Sequence, residues 1–380
     1  MAIGAPGENA DRGAAYLFSK QSGSWLLEQK IDGDTGGDKF GYTVAIFQAR
    51  LAVGAPGADG GAGSVYDVRR SGNVWSKTQE IIAPAAQAGD MFGDALAIEG
   101  RTYVIGAPRR NFSSGHVVVY DVRTNGPWTL TQDFAPADVL PGDHFGMAIT
   151  IILNRMFVGS PDSGDGAVYE YSLASGVWQS GQKLVASDGA PGDRFGYSLT
   201  SLEDTLVCGA PNKIVSGVAN AGGAYIFAQQ GAAGNWQETQ RIVGDVNEDD
   251  FYGASLGLAQ DTLVVGVPGF NMAQGTVCIY VRQNQNALAQ LVTKLPDGEY
   301  DVLLAVLDDV GKHSDINLNV TIRQGVLTID GDRPSSPASG IKVVGLRVFL
   351  AGTSLRVLSM DNLEAPFSPD FKPKQRGLLF

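Results

Sequence analysis

Short runs of alternating apolar and polar residues recur along the first three quarters of the chain. The clearest copy covers residues 192–211 and has the sequence GDRFGYSLTSLEDTLVCGAP. Within it, the runs YSLTS and DTLVCG flank the polar pair Glu203 and Asp204, and the second run ends at Gly-Ala-Pro. Alternation, a polar turn and a glycine-proline stop together predict an antiparallel β-hairpin.

Copies of this hairpin can be placed in register along the chain. In five copies the aromatic residue of the first strand lies 14 residues before the glycine that closes the second strand; these aromatics are Phe40, Phe92, Phe145, Phe195 and Tyr252. Successive aromatics are 52, 53, 50 and 57 residues apart. Six Gly-x-Pro triplets mark the ends of the second strands, beginning at Gly4, Gly54, Gly106, Gly159, Gly209 and Gly266. A period near fifty residues predicts a propeller or another array of small sheets.

Two further strand patterns complete each repeat. The third strand begins at a glycine, in turn Gly13, Gly63, Gly115, Gly166, Gly222 and Gly275. The fourth carries a tryptophan with a glutamine four residues later, as in Trp25/Gln29, Trp75/Gln79, Trp128/Gln132, Trp178/Gln182 and Trp236/Gln240. In the sixth copy Asn286 precedes Gln290 instead. Because all five tryptophans occupy one repeat position, we expect each indole to pack its blade against a neighbour with its N–H hydrogen-bonded.

The paired Phe-Gly and Gly-Ala-Pro signatures resemble those of the FG-GAP repeat family, the module of the integrin α-subunit head and of many bacterial surface proteins. The resemblance covers residues 1–295. It implies a β-propeller, usually seven-bladed, that serves adhesion or ligand binding. We therefore expect an all-β propeller of four-stranded antiparallel blades with six recognisable repeats.

The pattern changes after residue 295. Strands are predicted at 300–307 and 316–322, but they carry neither Gly-Ala-Pro nor tryptophan. Two interpretations of residues 296–360 stay open. They form a degenerate seventh blade, with 354–359 supplying a closing strand for the first blade, or they form a small separate β-domain. The proline- and lysine-containing segment 361–380 is expected to be an exposed tail.

The formal net charge of −12 and the lack of a basic stripe argue against a nucleic-acid partner. No apolar run is long enough to span a membrane, and no signal peptide is recognised. The first unit lacks its Phe-Gly strand, which suggests a fragment or a blade completed from elsewhere. Cys208 and Cys278 stand at apolar strand positions and are expected to be small buried hydrophobes, with an inter-blade disulfide as the alternative.

Family members often carry an oxygen-rich calcium loop between the first and second strands. Here the corresponding turns are a few residues long and hold at most two carboxylates, so those sites do not carry over. We predict no cofactor and no metal site; the remaining metal candidate is the acidic run Asp32, Asp34 and Asp38. Asp38 also belongs to a repeated Asp-x-Phe-Gly set, whose aspartates are expected to bind backbone amides.

Catalytic signatures are scarce. None of His116, His144 and His313 lies in a motif with a nucleophile, and we predict a non-enzymatic protein. Two alternatives stay open: a propeller hydrolase, lyase or enzyme-accessory domain with a site in the central channel, and a structural spacer of a larger surface protein.

The loops between second and third strands vary most, and variable loops on a constant scaffold are where binding usually resides. We expect recognition or adhesion outside the cell or at its surface, with a protein or glycan partner bound by these loops and the blade connections. The candidate residues are Arg109, Arg110, Asn111, Phe112, Asn212, Lys213, Phe270, Asn271 and Met272, expected to form one rim patch. In a secreted eukaryotic protein, Asn111 and Asn319 would be glycosylation acceptors.

Overall fold

The fold is described from a computed structural model. It describes residues 1–21, 24–122, 128–230, 234–244, 247–259, 262–282, 298–307, 313–323, 326–330, 342–350, 358–359 and 371–377. Beyond Tyr280, only the backbone of the strands is described.

The first five repeats form five antiparallel sheets, one per repeat. The first sheet has three strands, β1 (Ala2–Ala5), β2 (Ala14–Gln21) and β3 (Ser24–Asp32). The second has β4 (Thr43–Phe47), β5 (Arg50–Ala55), β6 (Ser64–Ser71) and β7 (Val74–Ile82). The third has β8 (Ala95–Glu99), β9 (Thr102–Ala107), β10 (His116–Val122) and β11 (Trp128–Phe134). The fourth has β12 (Ala148–Ile152), β13 (Arg155–Ser160), β14 (Ala167–Ala174) and β15 (Val177–Leu184). The fifth has β16 (Ser198–Leu202), β17 (Thr205–Ala210), β18 (Gly223–Gln230) and β19 (Asn235–Ile242).

The sixth repeat contributes β20 (Ser255–Ala259), β21 (Thr262–Val267) and β22 (Thr276–Arg282). The C-terminal region then forms β23 (Gly298–Leu307), β24 (His313–Arg323), β25 (Val326–Asp330), β26 (Lys342–Leu350), β27 (Leu358–Ser359) and β28 (Phe371–Gly377). Strands β23–β27 make a five-stranded sheet in the order β25-β24-β23-β26-β27. Whether this sheet counts as a seventh blade or as a separate domain stays a prediction.

Two expectations for the C-terminal strands are wrong. Leu358 and Ser359, the described part of segment 354–359, pair with Val348 and Arg347 of β26 instead of completing the first blade. Phe371–Gly377 is not an exposed tail: it pairs with β22 as the fourth strand of the sixth sheet, where it covers backbone groups that an edge strand would leave open. Pro373, which has no N–H to donate, stands where the register of this pairing shifts.

The sheets are arranged as the blades of a propeller. The first strands β4, β8, β12, β16 and β20 contact one another in succession, and each blade continues outwards through its second, third and fourth strands. All six Gly-x-Pro triplets begin on the equivalent second strand, in β1, β5, β9, β13, β17 and β21. This confirms the repeat register that the sequence predicts.

The Phe-Gly and Gly-Ala-Pro signatures meet at the contact between neighbouring blades. The amide of Gly146 donates to the carbonyl of Gly159 within blade four, at 3.0 Å. A Cβ on Gly159 would lie only 2.0 Å from the carbonyl oxygen of Gly196 in blade five. The aromatic before each Phe-Gly glycine is fully buried, as Phe145 and Phe195 show. The triplet glycine is therefore required because the next blade approaches its backbone directly.

Five apolar clusters fill the spaces between consecutive blades, from blades one and two through to five and six. Cys208 and Cys278 are buried in these clusters, and no disulfide joins them. The core of this fold therefore lies between the sheets, as expected for stacked blades.

The repeated tryptophans lie at the same blade contacts. Trp75, Trp128, Trp178 and Trp236 are buried, whereas Trp25 is 49% exposed. The expected N–H bond is found for Trp236, whose Nε1 donates to Glu170 at 3.1 Å, but the Nε1 atoms of Trp75 and Trp128 are buried without a partner. Burial of the ring, expected at all five positions, is confirmed at four and wrong for Trp25. The expected N–H hydrogen bond is confirmed for Trp236 and wrong for Trp75 and Trp128.

Short turns with left-handed residues connect the second and third strands. Four of them include a four-residue helical turn: α1 (Glu8–Asp11), α2 (Ala58–Gly61), α3 (Arg110–Ser113) and α4 (Phe270–Ala273). In the connections before Phe-Gly, the repeated aspartates accept amide hydrogens three residues upstream, as Asp90, Asp143 and Asp193 do at 2.8–3.0 Å. The expected backbone-binding role is confirmed for these three aspartates, whereas Asp250 accepts from the side chain of Asn247.

Candidate functional site

One face of the propeller carries the variable loops; we name it the loop face. Because successive strands in a blade are antiparallel, the second-to-third loops and the connections between blades emerge together there. The turns between first and second strands, such as that at Leu153, emerge on the opposite face. All nine candidate binding residues come from loops of the loop face.

The blade-three loop divides into anchored and displayed side chains. Arg110 is held internally: its guanidinium donates to both carboxylate oxygens of Asp133 and to the carbonyl of Pro84. The Asn111 amide lies 2.7 Å from His116 Nε2. Phe112 is 91% exposed at the tip of α3. Arg109 is also exposed, so Arg109 and Phe112 are the side chains that this loop offers to solvent.

The other two candidate loops are more internal than expected. Lys213 is buried, and its ammonium contacts Asp188 and Asp193. Asn212 donates to Asn220 at 3.1 Å. In the blade-six loop, Phe270 packs against an inter-blade core cluster, Asn271 is exposed and bonded to Gln274, and the side chain of Met272 lies outside the described residues.

These loops belong to blades three, five and six, and the loop of blade four lies between the first two. One side chain of each loop contacts its own chain: Arg110, Lys213 and Phe270. In the blade-three loop, the accessible side chains without such anchoring are those of Arg109 and Phe112. A single rim patch made of all nine residues stays a prediction.

The residue after each Phe-Gly or Tyr-Gly pair immediately precedes a first strand, at the loop-face end of the row of first strands. We call this end the mouth of the propeller. The five residues are Tyr42, Asp94, Met147, Tyr197 and Ala254. Asp94 is 8% exposed, and burial raises the pKa of its carboxyl to about 6, against the opposing charges of Arg109 and His144. The negative charge of Asp94, followed by burial, raises the pKa of the Tyr42 hydroxyl.

A charged network adjoins this mouth in blades four and five. Arg194 donates to both carboxylate oxygens of Asp162, at 2.9 and 3.0 Å, and its guanidinium stands 4.7 Å from the ring centre of Tyr197. His144 Nδ1 lies 2.8 Å from the second of these oxygens. Such bidentate pairs are geometrically specific, so this pair fixes Arg194 beside the mouth. His144 Nδ1 is close to Asp162 but is buried without a well-formed hydrogen bond.

Sequence reasoning placed His144 in the variable slot of its motif but did not identify the charged mouth. The signal was present in the repeat alignment, since the mouth residues share one register position, immediately after Phe-Gly. Their residue types differ from blade to blade, so no recurring chemistry marked them.

The acidic run in the blade-one connection binds lysines of its own chain. Asp32 lies 2.8 Å from the ammonium of Lys30, and Asp34 lies 2.5 Å from that of Lys77. Within the described residues, no group of three or more His, Cys, Asp or Glu side chains comes close enough to hold a metal ion. Of the two possible glycosylation acceptors, Asn111 lies in α3 and Asn319 lies in β24, between β23 and β25.

Comparison with known families adds an independent finding. The FG-GAP repeat family model matches residues 25–68, 75–120 and 178–227. Each match begins in the fourth strand of one blade and ends in the third strand of the next. No curated protein matches the chain closely enough to count as a relative. In the described part of the chain, no helix is long and apolar enough to cross a membrane. The chain therefore contains FG-GAP repeats, and the three matched repeats lie in a β-propeller arrangement of six repeated sheets.

Proposed function

We propose that this chain is a non-enzymatic recognition or adhesion propeller, which acts outside the cell or at its surface and binds a protein or glycan through its loop face. The observation that carries this proposal is the placement of Phe112. FG-GAP propellers are typically binding modules, which fits the same function.

Phe112 has an unfavourable backbone conformation and gains little burial in return. Its φ is 58°, a left-handed value that costs a bulky residue free energy. At the same position of the same turn, blade one has Ala10 and blade two has Gly60. An aromatic ring that is 91% exposed adds almost nothing to the core. Folding alone does not account for phenylalanine here, whereas ligand contact would.

The turn is also held in a fixed position. Arg110 ties it to Asp133 and to Pro84, and the amide of Gly142 in the next connection donates to the carbonyl of Phe112. That connection displays Leu140, which is 65% exposed. Rigid display of exposed aromatic and apolar groups beside the cation Arg109 is typical of recognition hot spots.

The test is a screen of the labelled chain against glycan and matrix-protein arrays, followed by titration of the hits. We expect the double variant Arg109→Ala/Phe112→Ala to weaken binding at least about tenfold, which corresponds to about 1.4 kcal/mol. The matched control is Leu153→Ala, which removes a 73% exposed apolar side chain, also left-handed, from the opposite face. Unchanged affinity in a folded double variant would exclude this loop, and an empty screen would favour the spacer alternative.

A second candidate function is a catalytic or enzyme-accessory site at the mouth of the propeller. It is favoured by Asp94, a carboxyl that is buried at the mouth and whose pKa is raised to about 6, and by the imidazole of His144 nearby. A hydrolase and lyase substrate panel tests it. Turnover that is lost in both Asp94→Asn and His144→Ala would support this function over pure recognition.

A further inference from the structure

The joint between blades two and three contains polar atoms that are buried without a partner. Asp67 is fully buried, and its Oδ2 accepts from Arg69 Nε at 2.6 Å and from Thr78 Oγ1 at 2.8 Å. Within the described residues, its other oxygen, Oδ1, accepts no hydrogen bond. The indole Nε1 of Trp128 and the hydroxyl of Tyr103 are likewise buried and unbonded. Each such atom lowers the stability of the fold unless something bonds it.

The equivalent joint between blades four and five connects an acid and an indole directly. Glu170 stands where Asp67 does, because each lies two residues after the third-strand partner of the triplet glycine. Trp236 stands where Trp128 does, in the fourth strand of the following blade. The Nε1 of Trp236 donates to Glu170 Oε1 at 3.1 Å. The repeat therefore places a carboxylate and an indole N–H together in both joints, and only one joint bonds them.

Two differences in side-chain size explain why the blade-two acid does not reach its indole. Aspartate is one methylene shorter than glutamate. Ala52 stands where blade four has Phe157, whose ring lies 4.9 Å from that of the tryptophan in its joint. The ring beside Trp128 belongs to its own blade instead, since Tyr103 lies 4.4 Å away between ring centroids. The joint of blades two and three thus has a shorter acid, one ring fewer from blade two, and an added hydroxyl.

The arginine of this joint is also placed differently. In blade four, Arg155 pairs with Glu170. Arg50 stands at the same repeat position, four residues before the triplet glycine, but its guanidinium donates to the carbonyl of Val122 in blade three at 2.8 Å. Oδ1 of Asp67 therefore receives neither the indole nor this guanidinium.

We propose that this joint binds a water molecule, which donates to Asp67 Oδ1 and accepts from Trp128 Nε1, with the Tyr103 hydroxyl as its third partner. Buried waters typically make about three hydrogen bonds to polar groups that are otherwise unsatisfied. Water supplies both kinds of partner that the joint needs, since it donates to the carboxylate and accepts from the indole. A cation does not fit, because the indole N–H can only donate.

The protonation of Tyr103 agrees with this site. Burial, followed by the negative charge of Asp67, raises the pKa of the Tyr103 hydroxyl to about 12, against the charges of Arg50 and Arg69. The hydroxyl is therefore protonated at neutral pH, and it can donate to the water or accept from it. The charge of Asp67 acts on this hydroxyl, as expected for two groups that adjoin one site.

The test is a nuclear magnetic resonance measurement of water contacts at the five indole N–H groups of the whole, deuterated chain. A bound water gives an N–H cross-peak with opposite signs in NOE and ROE spectra, whereas direct proton exchange gives equal signs. We expect the first pattern for Trp128 and no water cross-peak for Trp236, whose N–H is bonded to Glu170. The variants Trp128→Phe and Trp236→Phe assign the two signals.

Asp67→Glu should give the acid the reach of Glu170, abolish the water cross-peak of Trp128 and move its N–H shift towards that of Trp236. The matched control is Asp67→Asn, which keeps the size and bonds a water with either end of its amide, so the cross-peak should remain. It should also remain in Tyr103→Phe, because the other two partners are unchanged. Loss of the cross-peak in Tyr103→Phe would show that the hydroxyl proton relays the signal, and it would overturn the proposal.

Two results in the unsubstituted chain would overturn it as well. Without a water cross-peak at Trp128, its indole has no bound water as a partner. An equally strong cross-peak at Trp236 would show that blade joints hydrate whatever the length of the acid. Neither result depends on a variant, so the proposal stays testable if Asp67→Glu fails to fold.

Discussion

Gln182 in blade four holds the backbone of Trp236 in blade five through two hydrogen bonds. Its Nε2 donates to the Trp236 carbonyl at 2.9 Å, and its Oε1 accepts from the Trp236 amide at 3.0 Å. Gln132 holds Trp178 in the same way, and Gln29 holds Trp75. The Trp-x-x-x-Gln spacing therefore encodes a link between the outer strands of successive blades.

Gln182→Ala should destabilise the fold by about 1–3 kcal/mol, because it leaves the amide and carbonyl of Trp236 without these partners. Chemical denaturation measures the free energy of unfolding. Gln179→Ala is the matched control, since Gln179 is an exposed glutamine of the same strand, and it should have little effect. Equal losses in the two variants would show that the link contributes nothing.

Trp178→Ala should cost about 3–5 kcal/mol, the range for truncation of a buried large aromatic side chain. Trp178 is 6% exposed, whereas Trp25 at the same repeat position is 49% exposed. Trp25→Ala should therefore cost much less in the same denaturation experiment. A loss below about 1 kcal/mol for Trp178→Ala would contradict the role of the indole in blade packing.

Gly159→Ala should separate blades four and five locally, because the new Cβ would lie 2.0 Å from the carbonyl oxygen of Gly196. Overpacking of this kind costs typically about 1–3 kcal/mol and sometimes more. Gly257→Ala is the control, since a Cβ there would meet nothing within 4 Å. Thermal unfolding of both variants measures the difference, and a Gly159→Ala protein as stable as Gly257→Ala would be inconsistent with the direct backbone contact.

Asp94 should make stability depend on pH between about 4 and 6. Its pKa is about 6 in the folded chain, against an ordinary value of 3.8. The folded state therefore holds the proton of the Asp94 carboxyl more tightly than the unfolded state does. Protonated Asp94 contributes to the free energy of unfolding at low pH, and this contribution is lost as pH rises through this window. Asp94→Asn should stabilise the protein by about 2–3 kcal/mol at pH 7 and by much less at pH 4. The stability difference between variant and wild type, measured against pH, checks this, and a flat difference would contradict it.

Removal of calcium should leave the melting temperature unchanged. Asp32 and Asp34 already pair with Lys30 and Lys77, so a bound cation is not needed to neutralise them. Melting curves with a chelator and with added Ca²⁺ provide the test. A fall of several degrees with the chelator would reveal linkage to a bound ion and restore the metal candidate at 32–38.

The repeat pattern predicted the blade architecture because its signature residues face neighbouring blades. Phe145 and Gly159 are specified by burial and by close backbone approach, and both leave periodic traces in the sequence. The loop side chains were harder to predict. Arg110 and Lys213 looked like free surface cations, yet they pair with acids 20–25 residues away in the chain, a partner choice that no periodicity reports.

The contact between Gly159 and Gly196 involves only residues of the repeat signature, one from each of two adjacent units. Any two successive units that carry both glycines can therefore make this backbone contact, whatever their loops contain. Duplication or loss of one unit in the gene would supply or remove one such contact as a whole. Blade number in such arrays can then change in single genetic steps, and the closure of the ring is what limits the number that folds.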